Sequence, residues 1–240
     1  MPYRLPIGKY VDIFVDFLGD TFDAQFDAIR KILEAIINNL EYLLEITPFW
    51  VFALIVALIA YKMAGKGVAL FSFFGILLIV SLNLWPASIR TLSLVITSTI
   101  IALLIGIPTG ILAAKFEIIN QIVRPILDFM QTMPAFVYLI PAVFFFRIGV
   151  VPAAISTIIF AMPPTIRLTN LGIRQVPKEL VEAGEAFGSN WYQMLFKIQL
   201  PQAMPTIMAG INQCIMLALS MVVIASMIGG EGLGSVVLTG

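Results

Sequence analysis

Residues 176–201 read VPKELVEAGEAFGSNWYQMLFKIQLP and separate two long apolar segments of the chain. Pro177 is suited to the first turn of a helix, and we expect residues 178–187 to form its body. Gly188 can adopt the left-handed conformation that ends a helix, and a second short helix is expected over residues 190–199. The stretch therefore predicts two short helices that meet at a glycine. Taken alone, it fits an ordinary helical hairpin between membrane spans equally well.

The composition outside this stretch is that of a membrane protein. Of the 240 residues, 60% are hydrophobic and 12% are charged, and the mean hydropathy is +1.01. An ordinary globular chain has about 25% charged residues. Because a crossing needs about 20 residues, we predict an all-α, polytopic membrane protein. Its six predicted spans cover residues 48–61, 67–84, 89–114, 132–146, 149–166 and 203–228.

The N-terminal segment has a different pattern and holds 12 of the 28 charges within residues 1–47. From Phe14 to Leu44, apolar side chains recur at steps of three and four residues, with mostly acidic polar side chains between them. This period predicts an amphipathic helix, or two helices broken near Gly19 and Asp20. The segment either covers other helices of the protein or lies in the membrane interface. Its acidic polar face favours packing over attraction to anionic lipid.

Positive charges in the loops set the expected orientation, because cytoplasmic loops are enriched in Lys and Arg. Six alternating crossings place Arg90 and Arg147 on one side and eight positive residues on the other. We therefore expect the N-terminal segment outside and residues 167–201 in the cytoplasm. Residues 1–10 lack a signal-peptide pattern, so the spans are expected to target the chain. The eight residues are Lys62, Lys66, Lys115, Arg124, Arg167, Arg174, Lys178 and Lys197.

Residue content disfavours most kinds of active site. The chain has no histidine and one cysteine, Cys214, which removes histidine-dependent nucleophile pairs, most metal sites and any disulfide framework. Residues 60–67 lack the spacing of a phosphate-binding glycine loop, and the glycine-rich residues 229–234 follow an apolar helix instead of a strand. The zero net charge gives no basic surface for nucleic acid. We therefore expect no cofactor, metal or nucleic-acid site in this chain.

The spacing within the opening stretch resembles a known motif. Glu182-Ala183-Gly184, three residues, Gly188, nine residues and Ile198-x-Leu200-Pro201 follow the pattern E-A-A-x3-G-x9-I-x-L-P of the EAA loop of ABC-importer permeases. The one departure is Gly184, where the family usually has alanine and glycine lowers helix propensity by about 1 kcal/mol. Three further strings resemble permeases of glycine betaine/proline betaine importers. They are QTMPAFVY at 131–138, FAMPPTIR at 160–167 and ALSMVVIASM at 218–227.

The resemblance implies the transmembrane domain of a type I ABC importer in a lipid bilayer. Its implied partners are a second permease copy, two cytosolic ATPases that bind ATP and Mg, and an extracytoplasmic substrate-binding protein or domain. Residues 167–201, called the EAA loop below, are expected to dock in a cleft of the ATPase. The small residues would allow close approach, Gly188 would make the turn, and Pro201 would set the angle to the sixth span. The implied coupling residues are Glu182, Ala183, Gly184, Gly188, Ile198, Leu200 and Pro201.

The sequence pattern and the resemblance together divide the chain into three parts. Residues 1–47 are expected to form an amphipathic extracytoplasmic scaffold segment, and residues 48–85 two accessory transmembrane helices. Residues 86–240 are expected to form the permease core. Family members continue through one more span after the Gly-Leu-Gly turn at 232–234, so this core is expected to lack its final transmembrane helix.

Polar residues on the core spans are candidates to line a substrate path, because unpaired polar groups are costly toward lipid. Helix-to-helix hydrogen bonding is the alternative for each of them. The 18 Phe, 6 Tyr and 3 Trp residues form no pattern that identifies a cation–π cage, so selection is expected to belong to the binding protein. The candidates are Thr97, Ser98, Thr99, Thr132, Tyr138, Asn170, Asn212, Gln213 and Ser220.

Together these observations predict the permease subunit of an ATP-driven importer for glycine betaine/proline betaine-type compatible solutes, in a prokaryotic cell membrane. The chain itself is not expected to be an enzyme. Choline and carnitine are alternative substrates. An ion-coupled carrier and a purely structural scaffold are the alternative classes, and the first is disfavoured because the predicted spans hold no central Asp or Glu.

Overall fold

The computed structural model describes residues 7–239, and these form helices and turns without a strand among them. The all-α prediction is confirmed. Residues 1–6 of the predicted scaffold segment and residue 240 of the predicted core lie outside the described residues. The helices are α1 (Ile7–Ile46), α2 (Phe49–Ala64), α3 (Lys66–Ser81), α4 (Trp85–Lys115), α5 (Glu117–Thr132), α6 (Leu139–Phe146), α7 (Val150–Arg174), α8 (Lys178–Ala186), α9 (Trp191–Gln193), α10 (Leu200–Ser226) and α11 (Leu233–Thr239).

The core consists of α7 packed between α4 and α10. Small residues let these helices approach closely, as is common where apolar helices meet in membranes. A Cβ atom added at Gly110 of α4 would lie 2.6 Å from the Cβ of Thr169 and 2.7 Å from the carbonyl oxygen of Ile166, both on α7. Cys214 of α10 is fully buried in the same core, next to alanines of α4 and α7.

Three helices are long and apolar enough to cross a membrane. They are α4, α7 and the continuous helix from Trp191 to Ser226. The pairs α1–α2 and α5–α6 pass the same test only when each bent pair is taken as one span, with bends of 95° and 113°. The apolar core of the chain therefore agrees with a membrane protein.

The predicted span over residues 132–146 is wrong as a single straight helix. Helix α5 ends at Thr132, and a 3-10 turn at Ala135–Tyr138 leads into α6. Met133 is extended, with φ −77° and ψ 137°, because the ring of Pro134 disfavours helical geometry in the residue before it. The chain therefore turns sharply where a straight crossing was predicted.

Residues 48–85, the two predicted accessory spans, contain a tight helical hairpin. Helices α2 and α3 have 16 residues each and are joined at Gly65, whose φ is +89°. At about 1.5 Å per residue each arm is roughly 24 Å long, shorter than a hydrocarbon core of about 30 Å. Their crossing of the membrane stays a prediction.

The N-terminal helix α1 is continuous except for a kink. Phe22 has non-helical dihedrals of φ −112° and ψ 16°, close to the break predicted at Gly19 and Asp20. Beyond the kink, Phe26 packs its ring on Phe145 and Phe146 of α6. This part of α1 therefore covers other helices of the protein, which is one of the two arrangements that the sequence allowed.

The second half of α1 lies over one end of the core. Ile37 is fully buried against residues at the start of α4, the start of α7 and the end of α10. Arg90 of α4 pairs with Glu41 of α1, with 3.3 Å between Nε and Oε1, and with Glu231 after α10. Because the EAA loop connects the other ends of α7 and α10, α1 and the EAA loop lie at opposite ends of the core.

Candidate functional site

The turn of the EAA loop is built around Gly188, whose φ is +74°. Its N–H donates to the carbonyl of Glu185 at 2.9 Å, and the N–H of Ser189 donates to the carbonyl of Gly184 at 3.0 Å. This pair of hydrogen bonds is the Schellman arrangement, which ends a helix by satisfying its last carbonyl groups. The left-handed glycine predicted at position 188 is confirmed. Helix α8 ends at Ala186, one residue before the predicted end.

A second capping arrangement starts the other half of the loop. The Asn190 side chain accepts from the N–H of Gln193 at 2.9 Å, and the Gln193 side chain accepts from the N–H of Asn190 at 2.9 Å. Sequence analysis missed this capping box, although Asn-x-x-Gln before an apolar run is a recognisable sign of one. The two caps fix the short connection between α8 and α9.

Gly184 faces the inside of the loop. It is buried, and a Cβ atom added there would lie 2.6 Å from Cδ1 of Ile198 and 2.8 Å from Cε of Met194. Position 184, where the family usually has alanine, is therefore a point of close packing between the two loop helices. Glu182 and Ala183 are exposed on the surface of α8.

The loop's second helix runs into the membrane span without a break, so the predicted end of this helix at residue 199 is wrong. A π-helical segment at Met194–Gln199 joins α9 to α10, and the N–H of Leu200 donates to the carbonyl of Leu195, five residues back. In an α-helix the proline ring would clash with the carbonyl four residues earlier. The wider π-helical turn accommodates Pro201, which is exposed in the first turn of α10.

The loop is seated directly on the core helices. Leu195 is buried among Ile173 of α7, Ala203 and Ile207 of α10, with Ile111 of α4 packed against the same cluster. The Lys115 ammonium at the end of α4 lies 3.7 Å from the centre of the Trp191 indole ring, a cation–π contact. A displacement of the EAA loop therefore acts on α4, α7 and α10 together.

The predicted path residues fall into separate groups. Thr97, Ser98 and Thr99 of α4 are buried, and the Ser98 hydroxyl donates to the carbonyl of Ala154 at 3.5 Å. The hydroxyls of Thr97 and Thr99 have no hydrogen-bond partner among residues 7–239. These three residues therefore lie within helix packing in the single chain.

Another group closes the bend after α5. The Tyr138 hydroxyl donates to the carbonyl of Met130, and the Thr132 hydroxyl donates to the carbonyl of Phe129 at 2.9 Å. Asn170 of α7 donates to the side chain of Asn120 on α5 at 2.8 Å. Each of these side chains makes a local or helix-to-helix hydrogen bond.

The predicted path residues of α10 present polar groups on an open side of the core. Asn212, Gln213 and Ser220 are exposed, and the Ser220 hydroxyl donates to the carbonyl of Met216 at 2.8 Å. Asn212 and Gln213 lie near the middle of α10, where contact with lipid would be costly for their amides. This side of α10 is therefore expected to face protein or water.

The described residues hold no group of three or more Cys, Asp or Glu side chains arranged to bind a metal ion. Apolar helices that can span a membrane, with a helical loop seated on three of them, agree with the transmembrane subunit of a transporter. Residues 106–240 match the family model of the binding-protein-dependent transport system inner membrane component. The chain belongs to this family and is a permease subunit of ABC importers.

Similar proteins extend this result over nearly the whole chain. The glycine betaine transport system permease protein of Bacillus subtilis is 54% identical over 97% of this chain and 82% of its own length. The glycine betaine/carnitine transport permease protein of Listeria monocytogenes is 51% identical over 96% of this chain and 83% of its own. The inward-facing MetNI methionine ABC transporter has a similar fold, with a TM-score of 0.56 at 22% identity over 61% of this chain and 74% of that one.

Proposed function

We propose that this chain is the membrane permease of an ATP-driven importer for glycine betaine and closely related compatible solutes. The observation that carries the proposal is the 54% identity, over 97% of the chain, to a permease named for glycine betaine. The glycine betaine/proline betaine permease of Escherichia coli is also 47% identical over 98% of this chain and 67% of its own length.

Carnitine and choline are the alternative substrates within the same chemistry. A relative named for both glycine betaine and carnitine is 51% identical to this chain, and one named for trimethylamine N-oxide is 40% identical over 74% of it. The substrates for which these relatives are named are methylated amines or an amine oxide, so a cationic or strongly dipolar methylated nitrogen is the expected recognition feature.

Competition for uptake tests the substrate. Cells that lack other betaine uptake systems, and that express this chain with its ATPase and binding protein, should accumulate labelled glycine betaine. Unlabelled glycine betaine should compete better than carnitine or choline. Stronger competition by choline or carnitine would assign the importer to another quaternary amine, and the same cells without this chain provide the background.

The substrate path is proposed to run along the open side of α10, between this chain and a second copy. Asn212, Gln213 and Ser220 are exposed there, and a water-filled path would remove the cost of placing amides in lipid. Thr97 and Ser98 would support the path from within the core, and Thr132 and Tyr138 would hold the bend beside it.

The EAA loop is proposed to bind one of two cytosolic ATPases, which would hold the ATP and Mg while this chain supplies no ATPase site. Glu182 and Ala183 are exposed on α8, and Phe187 at the turn is 91% exposed. The Phe187 ring is therefore free to pack in a cleft of the ATPase, where buried aromatic side chains contribute strongly to binding. An extracytoplasmic binding protein would deliver substrate at the opposite end of the core, where α1 lies.

This arrangement requires α1 outside the cytoplasm and the EAA loop inside, as the distribution of positive charges favours. Single cysteines replacing Asp27 and Glu185, in a Cys214→Ser background, should label oppositely with an impermeant thiol reagent on intact cells. We expect the cysteine at 27 to react and the cysteine at 185 to react only after the membrane is opened. Labelling at 185 in intact cells would reverse the proposed orientation.

A further inference from the structure

A cavity between α5 and α7 is lined by three arginines that have no role in the proposed substrate path or in the proposed contact with the ATPase. Its volume is about 430 Å³, and it lies at the same end of the core as the EAA loop. Arg124 comes from α5, and Arg167 and Arg174 come from α7. Three guanidinium groups around one opening are unusual in a chain with only 12% charged residues.

The facing helices place these arginines by simple periodicity. On α5, Arg124 follows Asn120 by four residues, and on α7, Arg174 follows Arg167 by seven, so each pair lies along one helical face. The hydrogen bond between Asn170 and Asn120, 2.8 Å long, holds the two faces together. The cavity is therefore a built feature of the α5–α7 pair.

The carboxylates near the cavity do not neutralise all of its positive charge. Asp128 pairs with Arg167, and Glu117 pairs with Arg174 at 2.7 Å. Among residues 7–239 no carboxylate lies within salt-bridge distance of Arg124. The Nε of Arg167 is buried and has no hydrogen-bond partner in the same part of the chain. The cavity therefore holds three cations against two anions and has unused N–H donors.

The opposite face of α5 is apolar, which favours an anion that is carried by a lipid. A stripe of large apolar side chains on that face is more than half exposed, as expected for a helix lying against lipid acyl chains. Val123, Leu127 and Leu171 also line the cavity, so an apolar group next to the anion would find contacts. The stripe consists of Ile118, Ile122, Ile126 and Phe129.

We propose that this cavity binds the phosphate of an anionic phospholipid headgroup. Guanidinium groups match phosphate oxygens with paired hydrogen bonds, and basic pockets between helices at the cytoplasmic surface suit such headgroups. The assignment is independent of which solute the importer carries. Free inorganic phosphate shares the same recognition chemistry, and an acidic surface of the ATPase is a different occupant that the experiment distinguishes.

The test uses the full chain purified with its ATPase in a neutral detergent. Phosphatidylglycerol, phosphatidylcholine or inorganic phosphate is titrated in, and bound lipid is counted by native mass spectrometry while thermal unfolding is followed in parallel. We expect wild type to bind phosphatidylglycerol in preference to phosphatidylcholine. Arg124→Gln should weaken that binding about tenfold, the usual effect of removing one charge-assisted hydrogen-bonding group. Arg124→Lys should be intermediate because it keeps the charge and loses the paired donors.

Lys62→Gln is the matched control, because Lys62 is exposed, basic and remote from the cavity in sequence, and is predicted on the same side of the membrane. It should bind phosphatidylglycerol like wild type. Equal weakening by both substitutions would show general surface attraction and overturn the site. Full stabilisation by inorganic phosphate, without further effect of lipid, would overturn the lipid source. Loss of ATPase co-elution in Arg124→Gln, with lipid binding unchanged, would reassign the cavity to the ATPase.

Discussion

Gly188→Val is expected to uncouple ATP hydrolysis from transport, or to release the ATPase, while the chain still inserts into the membrane. The φ of Gly188 is +74°, a conformation that β-branched residues adopt poorly, at a cost on the order of 1–3 kcal/mol. A Cβ atom at this position meets no atom within 4 Å, so the effect is conformational and not a clash. Substrate-stimulated ATP hydrolysis in reconstituted membranes and co-elution with the ATPase measure the result.

Two matched variants separate the conformational cause from other effects. Gly188→Asn should largely restore coupling, because asparagine tolerates positive φ better than other residues with a side chain. Ser189→Ala should behave like wild type, because the contribution of Ser189 to the turn is its backbone N–H, which alanine retains. Normal coupling in Gly188→Val would show that this turn is not required.

Gly110→Ala is expected to destabilise the chain, even though alanine is the better helix former. The added methyl carbon would lie 2.6 Å from the Cβ of Thr169 and 2.7 Å from a backbone oxygen of α7, which rotamer changes cannot relieve. Overpacking of this kind costs roughly 1–3 kcal/mol or more, against a gain of about 1 kcal/mol in helix propensity. Gly110→Val should yield little folded protein. Thermal unfolding in detergent and monodispersity on size exclusion measure both.

Gly75→Ala of α3 is the control, because a Cβ atom there meets nothing within 4 Å. It should be neutral or slightly stabilising, the opposite sign from Gly110→Ala. Equal melting temperatures for Gly110→Ala and wild type would mean that α4 and α7 do not approach as closely as the structure places them.

The local sequence pattern was sufficient to predict the helices and the turn of the EAA loop. The positions of Pro177, Gly188 and the apolar residues beyond them specify two short helices and a left-handed turn, because caps act within a few residues. The amphipathic period of α1 likewise predicted a long helix with a break, displaced by only a few residues to Phe22. The break before α6 was also marked in the sequence, by Pro134, and was overlooked.

Packing between distant segments was not predictable in this way. Gly184 was interpreted as a residue for close approach to a partner, yet it is buried against Met194 and Ile198. The sequence did not indicate whether the hydroxyl residues of α4, such as Thr97, face a substrate path or a neighbouring helix. The arginine-lined cavity depends on how α5 packs against α7, and hydropathy does not predict that packing.

The most direct test of the central claim is the energy source for uptake. The chain, its ATPase and its binding protein are reconstituted into vesicles, and labelled glycine betaine is supplied on the binding-protein side. The account predicts accumulation only when ATP and Mg are present on the ATPase side, with no accumulation driven by a sodium or proton gradient. Accumulation on an ion gradient by this chain alone, without ATPase or ATP, would contradict the account.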